Sequence, residues 1–165
     1  MYMDSDTIKQ ALKENGINAR QASVRNKRSG YSRAFVVTIR DDKLSFKRVE
    51  DIVNKYEKIH YDICAGEILS GGNIFVSCRR EWENGCAPSM PDDFKKFIDD
   101  VLAMEIDTGK VKDGLCFMHK SYGIEITDKN YTRYFVDCGY GDPAHNAWNV
   151  LYERKLNDEY VNSVQ

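Results

Sequence analysis

The stretch DCGYGDPAHNAW, residues 137–148, gathers the side chains of this sequence best suited to chemistry: Asp137, Asp142 and His145, with Tyr140 held between two glycines. Two carboxylates and an imidazole can serve as acid and base, or share a divalent metal that activates water for nuclease or nucleotide-modifying chemistry. The same residues also read as a helix start, in which Asp142-Pro143 opens the first turn, His145 falls just inside it and Trp148 joins an apolar stripe. The spacing fixes no third metal ligand. The catalytic candidates are therefore Asp137, Asp142 and His145, with the helix start as the competing reading.

A second stretch suggests binding rather than catalysis. Between Arg20 and Arg40 six basic residues meet no acidic one. Arg25, Lys27, Arg28 and Arg33 surround Ser29-Gly30, with Tyr31 among them. Guanidinium and ammonium groups take phosphates and an interleaved ring takes a stacked base, which suits single-stranded or structured RNA. The candidate RNA- or partner-binding set is Arg20, Arg25, Lys27, Arg28, Tyr31 and Arg33. A solvated hairpin protected from aggregation by its charge would look the same.

The third set is acidic. Asp92, Asp93, Asp99 and Asp100 fall on the polar side of a helix, either as a solvated face or as a surface for a basic partner. The glycines of GEILSGG lack the lysine and hydroxyl of a phosphate loop. Five cysteines, an odd number with no Cys-x-x-Cys pair, fit neither a disulfide framework nor a zinc ribbon. No cofactor and no metal are expected.

The elements that must position these groups follow from periodicity. Ile8, Ala11 and Leu12 recur at helical spacing, with Ser5 or Asp6 as the cap and Gly16 beyond the end. Two extended runs, about 19–27 and 33–40, form a hairpin across RSGY, and Phe35, Val37 and Ile39 share its buried face. Ser45 caps a helix from Phe46 to about Lys58, with Val49, Ile52, Val53 and Tyr56 on one stripe. A third strand, NIFVSCRRE, follows a flexible stretch. Past a joint at 81–90, Pro91 opens a helix with Phe94, Phe97, Ile98, Val101 and Leu102 inward. Strands are expected near 115–119, 123–127 and 132–138, the last two as a hairpin across DKNY, and then the helix at Asp142-Pro143. The fold class is α+β, an antiparallel-rich sheet with helices packed on one side. Its order is α-β-β-α-β in a module of residues 1–82, then α-β-β-β-α in residues 83–165.

Charge separates along the same division. The net formal charge is −2, yet residues 1–80 carry 15 Lys and Arg against 10 Asp and Glu, and residues 81–165 carry 9 against 16. A near-neutral total excludes a general nucleic-acid coating protein and leaves room for a local basic site beside an acidic one. The opening MYMDSDTIKQ lacks the apolar core of a signal peptide, and no apolar run approaches the ~18 residues of a membrane span. A protein of the bacterial host cytoplasm is expected, with no membrane partner.

Ser23-Val24-Arg25, Gly30, Val49-Glu50-Asp51-Ile52-Val53, Tyr56 and Tyr61-Asp62 together resemble a small module attached to the large polyvalent proteins of phages and conjugative elements. The resemblance covers about the first 80 residues, mostly at core positions. It implies a mobile-element setting in which stand-alone proteins of this size include anti-CRISPR inhibitors, and it transfers no catalytic residue. The expected partner is an RNA-guided nuclease of a type II CRISPR system, its guide RNA, or both. The alternatives are a metal-dependent nuclease or nucleotide-modifying enzyme centred on residues 137–148, and a protein-interaction module without nucleic-acid contact.

Overall fold

The computed structural model describes residues 4–29, 32–69, 71–108, 117–119, 124–126 and 142–165. The chain forms two compact units, one of Met1–Glu81 with Leu156–Gln165 and one of Trp82–Lys155. Helices and a mixed three-stranded sheet make it an α+β fold.

In the first unit, α1 (Ser5–Glu14) begins where the Asp4 carboxylate accepts the Asp6 and Thr7 amides at 3.1 and 2.9 Å, satisfying donors that the first turn cannot. The cap is thus Asp4, one residue ahead of Ser5 and two ahead of Asp6, the two candidates read from sequence. Gly16, at φ +76°, ends the helix in the left-handed conformation, and Ile17 returns its amide to the Leu12 carbonyl. β1 (Ala22–Ser29) and β2 (Ser32–Ile39) are the expected hairpin, and Val24 lies opposite Val37. Ser45 caps α2 (Phe46–Val53) by accepting the Arg48 amide at 3.2 Å.

The structure ends α2 at Val53, followed by a single 3-10 turn, Asn54–Tyr56, short of the expected Lys58. The cause is a competing pair of backbone hydrogen bonds between Lys58 and Ile74, at 2.8 and 2.7 Å, which draws the chain into extended form. β3 (Ile74–Arg80) then runs parallel to β2, giving the order β1-β2-β3 with one antiparallel and one parallel pairing. Parallel neighbours need a crossover connection, which α2 and the segment after it supply.

One face of this sheet is the core. Ile8 and Leu12 of α1 and Val49 and Val53 of α2 pack with Phe35, Val37 and Ile39 of β2 and Val76 of β3. At the end of β3 the Arg80 guanidinium donates to the Asp41 and Leu44 carbonyls, tying the strand to the turn that enters α2.

The second unit is built on α3 (Asp92–Thr108) and the first residues of α4 (Pro143–Val164), where Phe94 and Ile98 pack with Ala144 and Ala147. Trp148 donates its indole N–H to the Pro88 carbonyl at 3.0 Å, and Asn149 accepts the Ala87 amide and donates to the Gly85 carbonyl. β4 (Phe117–His119) pairs antiparallel with β5 (Ile124–Ile126), two of the expected strands. The expected strand at 132–138 lies outside the described residues. The end of α4 belongs to the first unit, where Asn157 accepts from the Ser45 hydroxyl at 2.8 Å and from the Lys47 amide at 3.0 Å.

Candidate nucleic-acid interface

Strand alternation and register decide which basic residues meet. Ala22, Val24 and Asn26 lie on the core side of β1, so Ser23, Arg25 and Lys27 lie on the other face, opposite Thr38, Val36 and Ala34 of β2. On β3, Val76 and Cys78 face the core, which puts Phe75, Ser77 and Arg79 on the second face, level with Ala34, Val36 and Thr38. One sheet surface therefore carries Arg25 and Lys27 along one edge, Val36 and Ala34 in the middle, and Phe75 with Arg79 along the other edge.

Arg25, Lys27, Ser77 and Arg79 are exposed and Phe75 is half-buried. Arg79 is anchored by its Nε, which donates to the Thr38 hydroxyl at 2.9 Å, leaving the rest of the guanidinium turned to the surface. Neither Arg25 nor Lys27 makes an ion pair or side-chain hydrogen bond among the described residues. Two unpaired cations beside a half-exposed ring and a third, fixed cation form a surface on which phosphate and base can be held together.

The other basic candidates lie elsewhere. Arg33 is on the core side of β2, alternating with Phe35, and Arg28 is its register partner on β1. Arg20 precedes β1 in a turn closed by Asn18, whose side chain accepts the Arg20 amide at 2.9 Å. Tyr31 lies outside the described residues. Arg40, the last of the basic run, is paired with Glu81 at 3.2 Å. Sequence reasoning missed Phe75 and Arg79. Their place on the same sheet face as Arg25 and Lys27 depends on a parallel pairing of β3 with β2, between segments some 40 residues apart, which no local pattern announces.

The acidic candidates Asp92, Asp93, Asp99 and Asp100 are all exposed on α3. Of the catalytic candidates, Asp137 lies outside the described residues. Asp142 acts as a helix cap, with one oxygen accepting the Ala144 amide at 2.8 Å. Its other oxygen stands 3.7 Å from the Lys95 ammonium and 3.9 Å from His145 Nε2. Among the described residues no group of three or more His, Cys, Asp and Glu side chains is placed to hold a metal ion. Neither Cys86 nor Cys78 is an activated thiol: burial, then the Asp142 charge, pushes Cys86 up, and burial, then Glu50, pushes Cys78 up to about 12.

A capping role for Asp142 has a measurable signature. Asp142→Ala should destabilise the second unit by about 1 kcal/mol, whereas Asp142→Asn, which keeps a capping oxygen, should stay within a few tenths of the parent. Denaturant melts followed by tryptophan fluorescence report this unit, because Trp82 and Trp148 both belong to it. Equal losses in the two variants would mean that the carboxylate charge, rather than the cap, holds the turn.

Among the described residues no helix is long and apolar enough to cross a membrane. Compared with known proteins, the chain matches no family model, no curated protein and no solved structure.

Proposed function

We propose that this chain is a non-catalytic anti-defence protein of a phage or mobile element. It inhibits an RNA-guided nuclease of the type II CRISPR kind by binding the nuclease, its guide RNA, or both, through the basic sheet face. The observation that carries this reading is the placement of Arg25 and Lys27, exposed and unpaired among the described residues, on one surface with Phe75 and Arg79. Such a surface binds phosphate by charge and a base by stacking, with no demand on sequence. The mobile-element setting comes from the module that residues 1–80 resemble. The exposed aspartates of α3 complement the basic channel in which such a nuclease holds nucleic acid, so an acidic helix competes with the strand that belongs there.

A titration of nuclease activity tests the reading. Inhibition should be stoichiometric, saturating near equal amounts of protein and nuclease, and should be unchanged when the chain alone is first treated with a chelator. Multiple turnover of RNA or nucleotide by a small amount of the chain, stopped by chelation and by Asp142→Asn, would overturn it in favour of an enzyme centred on residues 137–148.

A further inference from the structure

A groove of about 400 Å³ runs between α1 and β1, walled by Leu12, Ile17, Ala22 and Val24 and flanked by Lys9 and Lys13. It lies along an edge strand, since β1 stands at the end of the order β1-β2-β3. Which backbone groups of β1 face outward follows from the ladder. Arg33 N–H donates to the Asn73 carbonyl and the Ile39 carbonyl accepts from Glu81, so the odd-numbered residues of β2 bond toward β3. Its even-numbered residues then bond to Ser23, Arg25 and Lys27, in step with the Arg40 N–H donating to the Gln21 carbonyl at 2.8 Å. Ala22 has its N–H taken by the Asn18 carbonyl, but Val24 and Asn26 turn both N–H and C=O to the open edge, and no strand pairs with that edge among the described residues.

An unpaired edge beside an apolar slot has a defined complement. A strand laid along β1 satisfies the Val24 and Asn26 backbone groups, and every second side chain of that strand points to the α1 side, over the slot. A slot of this volume has room for an apolar side chain of any size. The side chains on either side of it point to the opposite face, toward Arg25 and Lys27. Lys9 and Lys13 border the slot itself, and of the two only Lys9 has an acidic partner among the described residues, Asp6 at 2.8 Å. Both sides of the incoming strand thus meet positive charge.

We propose that this edge captures an extended segment of a partner protein by strand addition, the segment carrying an apolar residue flanked on both sides by Asp or Glu. The edge is distinct from the nucleic-acid face in its backbone groups and in Lys13, although Arg25 and Lys27 border both surfaces.

The probe is a short fluorescein-labelled peptide alternating Glu and Leu, titrated against the full chain by anisotropy. It should bind saturably. Methylation of the alternate amides that pair with β1 should weaken it at least about tenfold, while methylation of the outward amides should not. At saturation, hydrogen exchange at the Val24 and Asn26 amides should slow by about tenfold or more. Asn26→Pro, which deletes an outward N–H and leaves the β1–β2 ladder bonds intact, should weaken binding about as much. Should that variant not fold, the exchange and methylation data on the parent protein decide. Equal binding of a peptide with the same composition in separate Glu and Leu blocks would overturn the proposal. So would binding without protection at Val24 and Asn26, or no binding at millimolar peptide. A dimer with those two amides already protected would overturn it too, since a second copy would then hold the edge. None of these outcomes depends on RNA binding, so failure here and failure of the nucleic-acid reading are separable.

Discussion

Charge reversal at Arg25 and Lys27, both to Glu, should lower the affinity for guide RNA about 30- to 150-fold at low salt, taking roughly 1–1.5 kcal/mol for each lost charged contact. Folding should be nearly untouched. Both side chains are exposed, neither has a partner among the described residues, and surface substitutions of this kind stay within about 0.5 kcal/mol. The equal change of charge at Lys55 and Lys58, exposed residues of the same unit outside the sheet face, is the control. It should cost only the small, long-range share of the field. If the two double variants bind alike, net charge rather than this surface governs association. Phe75→Ala on the far edge should add about 1–3 kcal/mol of loss where a base stacks on the ring.

The largest expected effect on stability is at Phe35. Its ring is fully buried, at 0% exposure, in the central strand of the three-stranded sheet, and packs with residues of both α1 and α2. Phe35→Ala removes that contact and leaves a cavity that a closely packed interior cannot fully close, at a cost of about 3–5 kcal/mol. A domain holds only about 5–15 kcal/mol in all, so amide protection across β1, β2 and β3 should fall by two orders of magnitude or more. Val36→Ala, one residue along on the opposite face, should cost about 1 kcal/mol or less because that side chain is only half-buried. Comparable losses at the two positions would contradict the assignment of faces on which the proposed nucleic-acid surface rests.

How far the sequence foretold this arrangement depends on how local each signal was. The α1 stripe of Ile8, Ala11 and Leu12 and the alternation of Phe35, Val37 and Ile39 are set by neighbours in the chain, and both are buried as periodicity requires. The end points were less legible. Asp4, Ser5 and Asp6 are three successive residues able to cap, and only geometry selects Asp4. The helical pattern of α2 runs on past Val53, where the Lys58 bridge to Ile74 overrides it. The candidate face was half legible. Alternation within β1 separates Arg25 and Lys27 from Val24, but the parallel partner β3 is reached only through a crossover, so Phe75 and Arg79 could not be placed beside them. Arg33 stands on the other face from Arg25 for the same reason that Phe35 is buried, the period of two along β2. Asp142 was legible as a helix start, and its carboxylate caps α4.

The salt dependence of guide RNA binding tests the basic-face account most directly. A contact between a cation and a phosphate releases a counterion, so each one contributes about 0.7 to the slope of log affinity against log salt for a single strand. The parent protein should show a steep slope. The Arg25→Glu, Lys27→Glu variant should show one shallower by at least about 1.4, with the two affinities converging as salt rises. Identical slopes and identical affinities across the salt series would contradict the account, because the two residues would then touch no phosphate.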